Sequence, residues 1–388
     1  MCGIAGELRF DTRTADAAAV ARMAEVMQPR GPDNTGLSLA GRTALGHRRL
    51  KIIDLSDAGH QPMVDPELGL SLVFNGCIYN YADLREELTG LGYRFFSKSD
   101  TEVILKAYHA WGNDFVKRLY GMFAFCIVRR DDGRALFGRD RQGIKPLYLA
   151  RGPGRLRFAS ALPALLAGGE VDTSIDPVAL NHYMSFHAIV PPPRTILNGV
   201  KKLPPATLME VTAEGEETEW RYWDVAFGPR DGDKGMSQQD WEDCLLDVLR
   251  TSVRRRLVCD VPVGVLLSGG LDSSLVVGLL AEAGQSGLKT FSIGFETVGN
   301  EKGDEFQYSD VVAERFGTDH NQIFIDSGKA LPALEHCVDA MAEPMVSHDA
   351  IGFFLLSEQV AQHVKVVQSG QGADEIFGGY HWYPPMLE

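Results

Sequence analysis

Residues Ser268-Gly269-Gly270-Leu271-Asp272-Ser273-Ser274 follow an apolar run, Val261 to Leu267, and open a helical pattern. Glycines let a backbone close around an anion, the free amides at a helix start point at it, and the helix dipole adds partial positive charge. The turn is therefore suited to pyrophosphate. It lacks the GxxxxGK[ST] spacing of a Walker loop, and Asp272 inside it makes sense beside phosphates chiefly as a ligand for Mg2+. The plain alternative is a strand-to-helix turn capped by Asp272 or Ser273. The complete heptapeptide after a buried strand favours the phosphate.

A second candidate centre is the start, Met1-Cys2-Gly3-Ile4. Removal of Met1 leaves a cysteine with a thiol and a free α-amine, so one residue supplies nucleophile and base for attack on an amide carbonyl. Asn75-Gly76 closes the apolar run Leu70 to Phe74 and offers a side-chain amide and a backbone N–H as oxyanion donors, although Asn-Gly is also a common turn. Arg49, in His47-Arg48-Arg49-Leu50, could clamp a carboxylate in bidentate fashion or be a solvated arginine. Asp100 could receive an ammonium, or belong to a capping box in Ser99-Asp100-Thr101-Glu102.

These residues need two frameworks. At 388 residues and 45% hydrophobic the chain has room for two cores. The first half carries extended runs at Leu70 to Phe74, Gly121 to Val128, Arg134 to Phe137, Leu147 to Ala150 and Leu156 to Ala159. Helical spacing marks Ala15 to Met27, Tyr81 to Leu91 and Thr101 to Trp111, which fits stacked sheets flanked by helices. Proline-rich segments at 191–193 and 203–205, and the polar stretch from Gly228 to Gly235, place the junction there. From Ser237 helices and strands alternate, with Trp241, Cys244, Leu245, Val248 and Leu249 on one helical face and strands near 261–267, 289–293, 321–325 and 364–368. This predicts a doubly wound parallel sheet with ligands at its carboxyl ends, where Ser369 to Glu375 forms a second loop.

A formal charge of −14 argues against nucleic-acid and anionic-membrane partners. Six cysteines without metal-ligand spacing read as reduced thiols. With Glu7, Arg9 and Asp11 where a signal peptide would be apolar, and no membrane-length apolar run, the expectation is a cytoplasmic protein.

The ordered motifs Cys2-Gly3-Ile4, Arg30-Gly31-Pro32-Asp33, His47 to Leu50, Asn75 to Asn80, Ser99 to Glu102, Gly138-Arg139-Asp140-Arg141, Ser268 to Ser274 and Gly378-Gly379-Tyr380 span the chain. Together they resemble glutamine-dependent asparagine synthetases. The resemblance implies a class II glutamine amidotransferase domain over residues 2–205, an αββα sandwich of Ntn-hydrolase type, a linker over 206–236, and an ATP-pyrophosphatase-type synthetase domain over 237–388, incomplete at its C-terminus. It implies Cys2 as nucleophile, Asn75 and Gly76 as oxyanion hole, and Arg49, Asn75, Gly76, Cys77 and Asp100 around glutamine. ATP would lie against Leu267, Ser268, Gly269, Gly270, Asp272, Ser273, Ile293, Ser369 and Gly370, with Mg2+ on Asp272 and Asp374. The implied reaction hydrolyses glutamine, carries ammonia inside the protein and amidates an acyl-adenylate, releasing AMP and pyrophosphate. Glutamine and a small carboxylate acceptor are the implied partners, with a homodimer as the expected assembly.

Two residues depart from the family pattern. Cys77 stands where a glutamate usually follows Asn-Gly, leaving Asp100 to carry more of the ammonium recognition. Gln371 replaces an acidic residue, and an amide cannot act as a base. Either another group substitutes for that acid or the acceptor differs from aspartate, so the expected acceptor is aspartate or a related carboxylate, and the combination looks most like the branch that forms N-acetylglutaminylglutamine amide. Two further alternatives stay open: a glutaminase alone, and a non-catalytic glutamine- or nucleotide-binding regulator.

Overall fold

The computed structural model describes residues 1–228, 231–296, 303–345 and 348–387. The chain divides into two units, Met1–Phe227 with Met341–Val346, and Gly228–Ala340 with Ser347–Glu388.

The first unit is built on strands β1 (Gly3–Arg9), β2 (Asn34–Ala40), β3 (Thr43–Arg49), β4 (Met63–Asp65), β5 (Leu70–Ile78), β6 (Gly121–Arg129), β7 (Ala135–Arg139), β8 (Tyr148–Gly152), β9 (Arg155–Ala159), β10 (Lys201–Lys202), β11 (Thr207–Val211) and β12 (Glu217–Arg221). They form two antiparallel sheets of six strands, ordered β10-β8-β9-β1-β3-β2 and β12-β11-β7-β6-β5-β4. Ile4, Leu45 and Phe158 of the first sheet share a core with Val73, Cys126, Phe137 and Met209 of the second. Outside, helices Ala17–Val26 and Leu162–Gly168 cover the first sheet through Val20, Met23 and Leu165. Helices Tyr81–Gly90 and Asp100–Trp111 cover the second through Leu84, Leu88, Ile104 and Leu105. The αββα layering expected from the sequence is present.

Strand β1 has no visible alternation because all seven of its residues are buried, charges included. Glu7 accepts from Arg157 Nε at 2.6 Å and from the Asp16 amide at 2.9 Å, and Arg9 pairs with Asp11 at 2.6 Å. The Glu7–Arg157 pair ties β1 to β9. Strands β11 and β12 correct the expected linker over 206–236: Met209 and Val211 are fully buried, and β11 extends the second sheet beyond β7. The prolines just before them mask the strand signal.

In the second unit β13 (Val263–Leu266), β14 (Lys289–Phe295), β15 (Asp319–Ile325) and β16 (Val366–Gln368) form a parallel sheet ordered β15-β14-β13-β16. Helices Gln238–Arg255 and Leu271–Glu282 pack on one face with Val265 and Leu267, while Leu356 and Val360 pack on the other with Phe291. The sheet is therefore doubly wound. The chain reverses direction of growth between β13 and β16, the position at which such sheets form a ligand crevice.

The first helix of this unit is capped by Ser237 and Asp240 in a closed box. Its core face is Leu246, Leu249 and Val253. Trp241, Leu245 and Val248 are exposed, which corrects the apolar face read from the sequence: both sides of this helix carry apolar residues, so spacing alone does not choose between them. No described helix is long and apolar enough to cross a membrane.

Glu7 and Arg157 are both almost without solvent contact. Arg157→Met should leave the buried Glu7 carboxylate with only its longer contact to Arg9, at 3.5 Å, and cost about 3 kcal/mol. Thermal unfolding followed by circular dichroism tests this, and an unchanged midpoint would show that the pair does not hold β1 to β9.

Candidate active site

The start of β1 pairs with the end of β3, Gly3 opposite Arg48, and this register sets Cys2 beside Leu50. The Leu50 amide donates to Cys2 Sγ at 3.3 Å, and the thiol lies 3.7 Å from the Leu50 carbonyl. Burial pushes the Cys2 thiol up from its ordinary value; Asp100 pushes it further, while the Leu50 amide and Arg49 oppose. At the same end, burial lowers the Met1 ammonium to about 6.

Strand β5 is held from both sides just before its functional residues. His47 of β3 donates from Nε2 to the Phe74 carbonyl at 3.2 Å, and burial drops its pKa to about 3, so the ring is neutral. Gln61 accepts from the Phe74 amide at 2.7 Å and donates to Thr101 at 3.2 Å. Asn75 is next in the chain; it is 1% exposed and its Nδ2 has no hydrogen-bond partner. An amide donor left unmet in a dry interior is costly unless a ligand meets it. Gly76 is required by space, because a Cβ there would lie 2.3 Å from the Met122 carbonyl. Cys77, also buried, follows on the same strand.

Asp100 begins the helix Asp100–Trp111, and its carboxylate accepts from the Ile78 amide at 3.0 Å. Burial raises its pKa to about 6. The cap itself is Ser99, which accepts from Thr101. Glu102 does not close the expected box; it turns to the Phe96 and Ser97 amides at 2.9 and 2.7 Å and pairs with Lys106.

Arg49 is buried with its guanidinium on the turn after it, donating to the carbonyls of Ser56 at 2.9 Å, Ile53 at 3.3 Å and Asp54. It is neither the solvated arginine nor an unengaged fork. Two cations carry no role in the sequence reading. Arg30 donates to the Cys2 carbonyl at 3.3 Å and keeps a buried, unpartnered Nη2. Lys145 feels the charges of both Cys2 and Cys77, and burial lowers its pKa to about 8. It is presented by a loop that Asp140 ties through the amides of Ile144 and Lys145, both at 2.9 Å, while Arg139 binds the carbonyls of Gly143, Lys145 and Leu203. The Gly138-Arg139-Asp140-Arg141 motif was the signal for this loop.

In the second unit a cavity of about 490 Å³ lies at the carboxyl ends of β13, β14 and β16. Leu267, Ser268, Gly270, Asp272, Ser273, Ile293, Ser369, Gly370 and Asp374 all line it, and so does Gln371. Gly269 does not; with φ +90° it turns onto the next helix, where a Cβ would meet Tyr308 Cβ at 2.5 Å. The helix Leu271–Glu282 is capped by Gly270 with no side-chain hydrogen bond, so neither Asp272 nor Ser273 caps it. Its first amides remain for an anion. The two loops touch: a Cβ on Gly370 would lie 2.8 Å from Asp272 Cβ. The sequence reading missed Ser292, Glu305 and Phe353 in the wall, supplied by elements without a glycine signature, while Tyr380 closes the Gly378-Gly379-Tyr380 motif.

Residues 1–223 match the family model of a glutamine amidotransferase domain and residues 245–388 that of asparagine synthase. A glutamine-hydrolysing asparagine synthetase of Methanocaldococcus jannaschii, so named as putative, is 34% identical, with 98% of this chain and 76% of that protein aligned. The chain belongs to the glutamine-hydrolysing asparagine synthetase family. Asparagine synthetases 1 and 3 of Bacillus subtilis are 36% and 31% identical to this synthetase-family chain, over 100% and 99% of its length. The chain spans 60% and 64% of those two relatives.

Asp100 raises the Cys2 thiol, so Asp100→Asn should move the pH profile of Cys2 alkylation to lower pH. Mass-spectrometric rates of iodoacetamide labelling at Cys2 check this; superimposed profiles would place Asp100 elsewhere.

Proposed function

We propose that the first unit hydrolyses glutamine and that the second activates a carboxylate with ATP for amidation by the ammonia released. The observation that carries this reading is the unmet, buried Asn75 amide beside a position only glycine fits, on the unit that also buries the Cys2 thiol at an amide donor. With Met1 removed, the α-amine belongs to Cys2. The burial that lowers the Met1 amine supports a neutral base at that place. The thiol sulfur attacks the glutamine amide carbon as its proton passes to the amine, and the oxyanion takes the Asn75 and Gly76 donors. The proton then goes to the leaving nitrogen, ammonia departs, and water cleaves the thioester to glutamate. Asp100 receives the substrate ammonium, and Arg49 and Arg30 supply the positive field for its carboxylate.

In the second unit the acceptor carboxylate attacks the α-phosphorus of ATP, pyrophosphate leaves, and ammonia displaces AMP from the acyl-adenylate. Ser268, Gly270 and Ser273 with the uncapped helix start receive the phosphates. Among the described residues no group of three or more His, Cys, Asp or Glu could hold a metal. Two carboxylates on one cavity, Asp272 and Asp374, suit a Mg2+ that keeps its waters and binds through substrate phosphates. Such an ion, when bound, neutralises phosphate charge. The acceptor is aspartate or a related carboxylate.

Pyrophosphate and glutamate release are to be measured with ATP, Mg2+ and glutamine, with aspartate and with N-acetylglutaminylglutamine as acceptors. Acceptor-stimulated pyrophosphate supports the ligase and names its substrate; glutamate without pyrophosphate under both conditions leaves a glutaminase alone. Asn75→Ala should lower glutaminase kcat by about 10²–10³ while leaving ammonium-supported pyrophosphate release unchanged. The KM for glutamine should rise as pH falls through about 6, because Asp100 is charged above that value and neutral below it. A KM flat from pH 5 to 8 would remove Asp100 from ammonium recognition.

A further inference from the structure

Beneath the nucleotide cavity the second unit holds a polar cluster that the proposed chemistry does not use. His320 of β15 has Nδ1 2.8 Å from Thr290 Oγ1, and Nε2 3.3 Å from Ser292 Oγ and 3.2 Å from Ser309 Oγ. Thr290 and Ser292 lie on β14, and Ser309 on helix Phe306–Phe316. All three hydroxyl residues are buried.

Proton counting fixes the ring. Ser292 donates its one hydroxyl proton to the Leu267 carbonyl, and Ser309 donates its own to the Phe306 carbonyl at 3.2 Å. Both must therefore accept from His320, so Nε2 carries the proton and is shared between them. Nδ1 then accepts from Thr290, whose oxygen in turn takes the Thr318 hydroxyl at 2.8 Å. Two of the three hydroxyl partners reach the nucleotide turn. Leu267 immediately precedes Ser268, Ser292 lines the cavity, and a Cβ on Gly269 would stand 2.6 Å from the Ser309 nitrogen.

We propose that His320, as the neutral Nε2–H imidazole, is a positioning residue for the Ser268–Gly270 turn: it fixes Ser292 beneath the Leu267 carbonyl and Ser309 beneath Gly269. The inference rests on the reading of this cavity as the nucleotide site. A second ring proton would set Nδ1–H against the Thr290 hydroxyl and reverse the Thr290–Thr318 bond. The charged group facing the ring is Asp310 from the helix, 3.8 Å from Nε2 and held by Gln322 at 2.7 Å. Lys289 and Asp319 pair with each other at 3.6 Å one residue earlier on the two strands. Burial lowers the His320 pKa and Asp310 opposes it. Nucleotide binding that depends on the neutral ring is therefore complete at pH 7 and weakens on the acid side.

Calorimetric titration of the full chain with Mg·ATP between pH 5 and 8 tests this. At pH 7.5 His320→Ala should raise Kd about tenfold with glutaminase activity unchanged. His320→Gln keeps a donor near Nε2 but cannot titrate. It should bind like wild type at pH 7.5, and the ratio of wild-type to variant Kd should rise toward the acid end of the range, the titration of ATP itself being common to both. A His320→Ala Kd equal to wild type, or a ratio flat across the range, overturns the proposal. If His320→Ala fails to fold, the His320→Gln ratio decides alone. Wild type that does not bind Mg·ATP at all overturns the nucleotide reading of the cavity, and His320's role with it.

Discussion

A charged or polar side chain inside the αββα sandwich has no water to turn to, and the first unit meets that constraint with buried ion pairs and, around the site, chiefly with backbone atoms. Arg139 takes three carbonyls, Asp140 takes amides of its own loop, Arg49 takes the turn at 53–56, and His47 and Gln61 take the two sides of Phe74. Each bond fixes a loop or strand end near Cys2 or Asn75. Among the described residues four buried side-chain nitrogens stay unmet, on Arg30, Asn75, Arg141 and His182. Two of the four, Arg30 and Asn75, belong to the proposed glutamine site, Arg30 through its bond to the Cys2 carbonyl. Full satisfaction around them is what gives those two donors meaning.

The same constraint explains what could be read in the sequence. The apolar strands β5 to β9 and the helices covering the second sheet announce themselves by period. Strand β1 does not, since its buried Glu7 and Arg9 look like surface residues until Arg157 and Asp11 are placed beside them. Cys2, Asn75, Gly76 and Asp100 were legible because the chemistry of their types is specific. Arg30 and Lys145 were not, because a cation gains its role here from burial, and burial comes from strands distant in sequence.

In the second unit the legible part was glycine. Gly269, Gly370 and Gly379 each stand where a Cβ would strike a neighbour, at 2.5 Å from Tyr308, 2.8 Å from Asp272 and 2.1 Å from Asp374 respectively. Loops that must approach one another this closely exclude side chains, so they leave a sequence mark. The walls of the same cavity, Ser292, Glu305 and Phe353, arise from ordinary strand and helix positions and leave none. His320 belongs to that silent class: nothing near it in sequence records that two strands and a helix converge on its ring.

The resting state of the proposed nucleophile follows from the direction of two shifts. Burial raises the Cys2 thiol and lowers the amine at the chain start, so both move toward the neutral pair and away from thiolate and ammonium. A centre of this kind is unreactive when empty. Transfer of the proton becomes favourable only when charge develops on a substrate oxygen that donors already in place can receive. The unmet Asn75 amide is such a donor, fixed before substrate arrives, while the Leu50 amide is spent on the sulfur itself. Asp100 raises the thiol further while it stands unpaired, and a substrate ammonium would cancel that charge. In the proposed reading, recognition of the amino group and activation of the sulfur are thereby the same electrostatic event, and with Cys77 in place of a carboxylate, Asp100 would carry both.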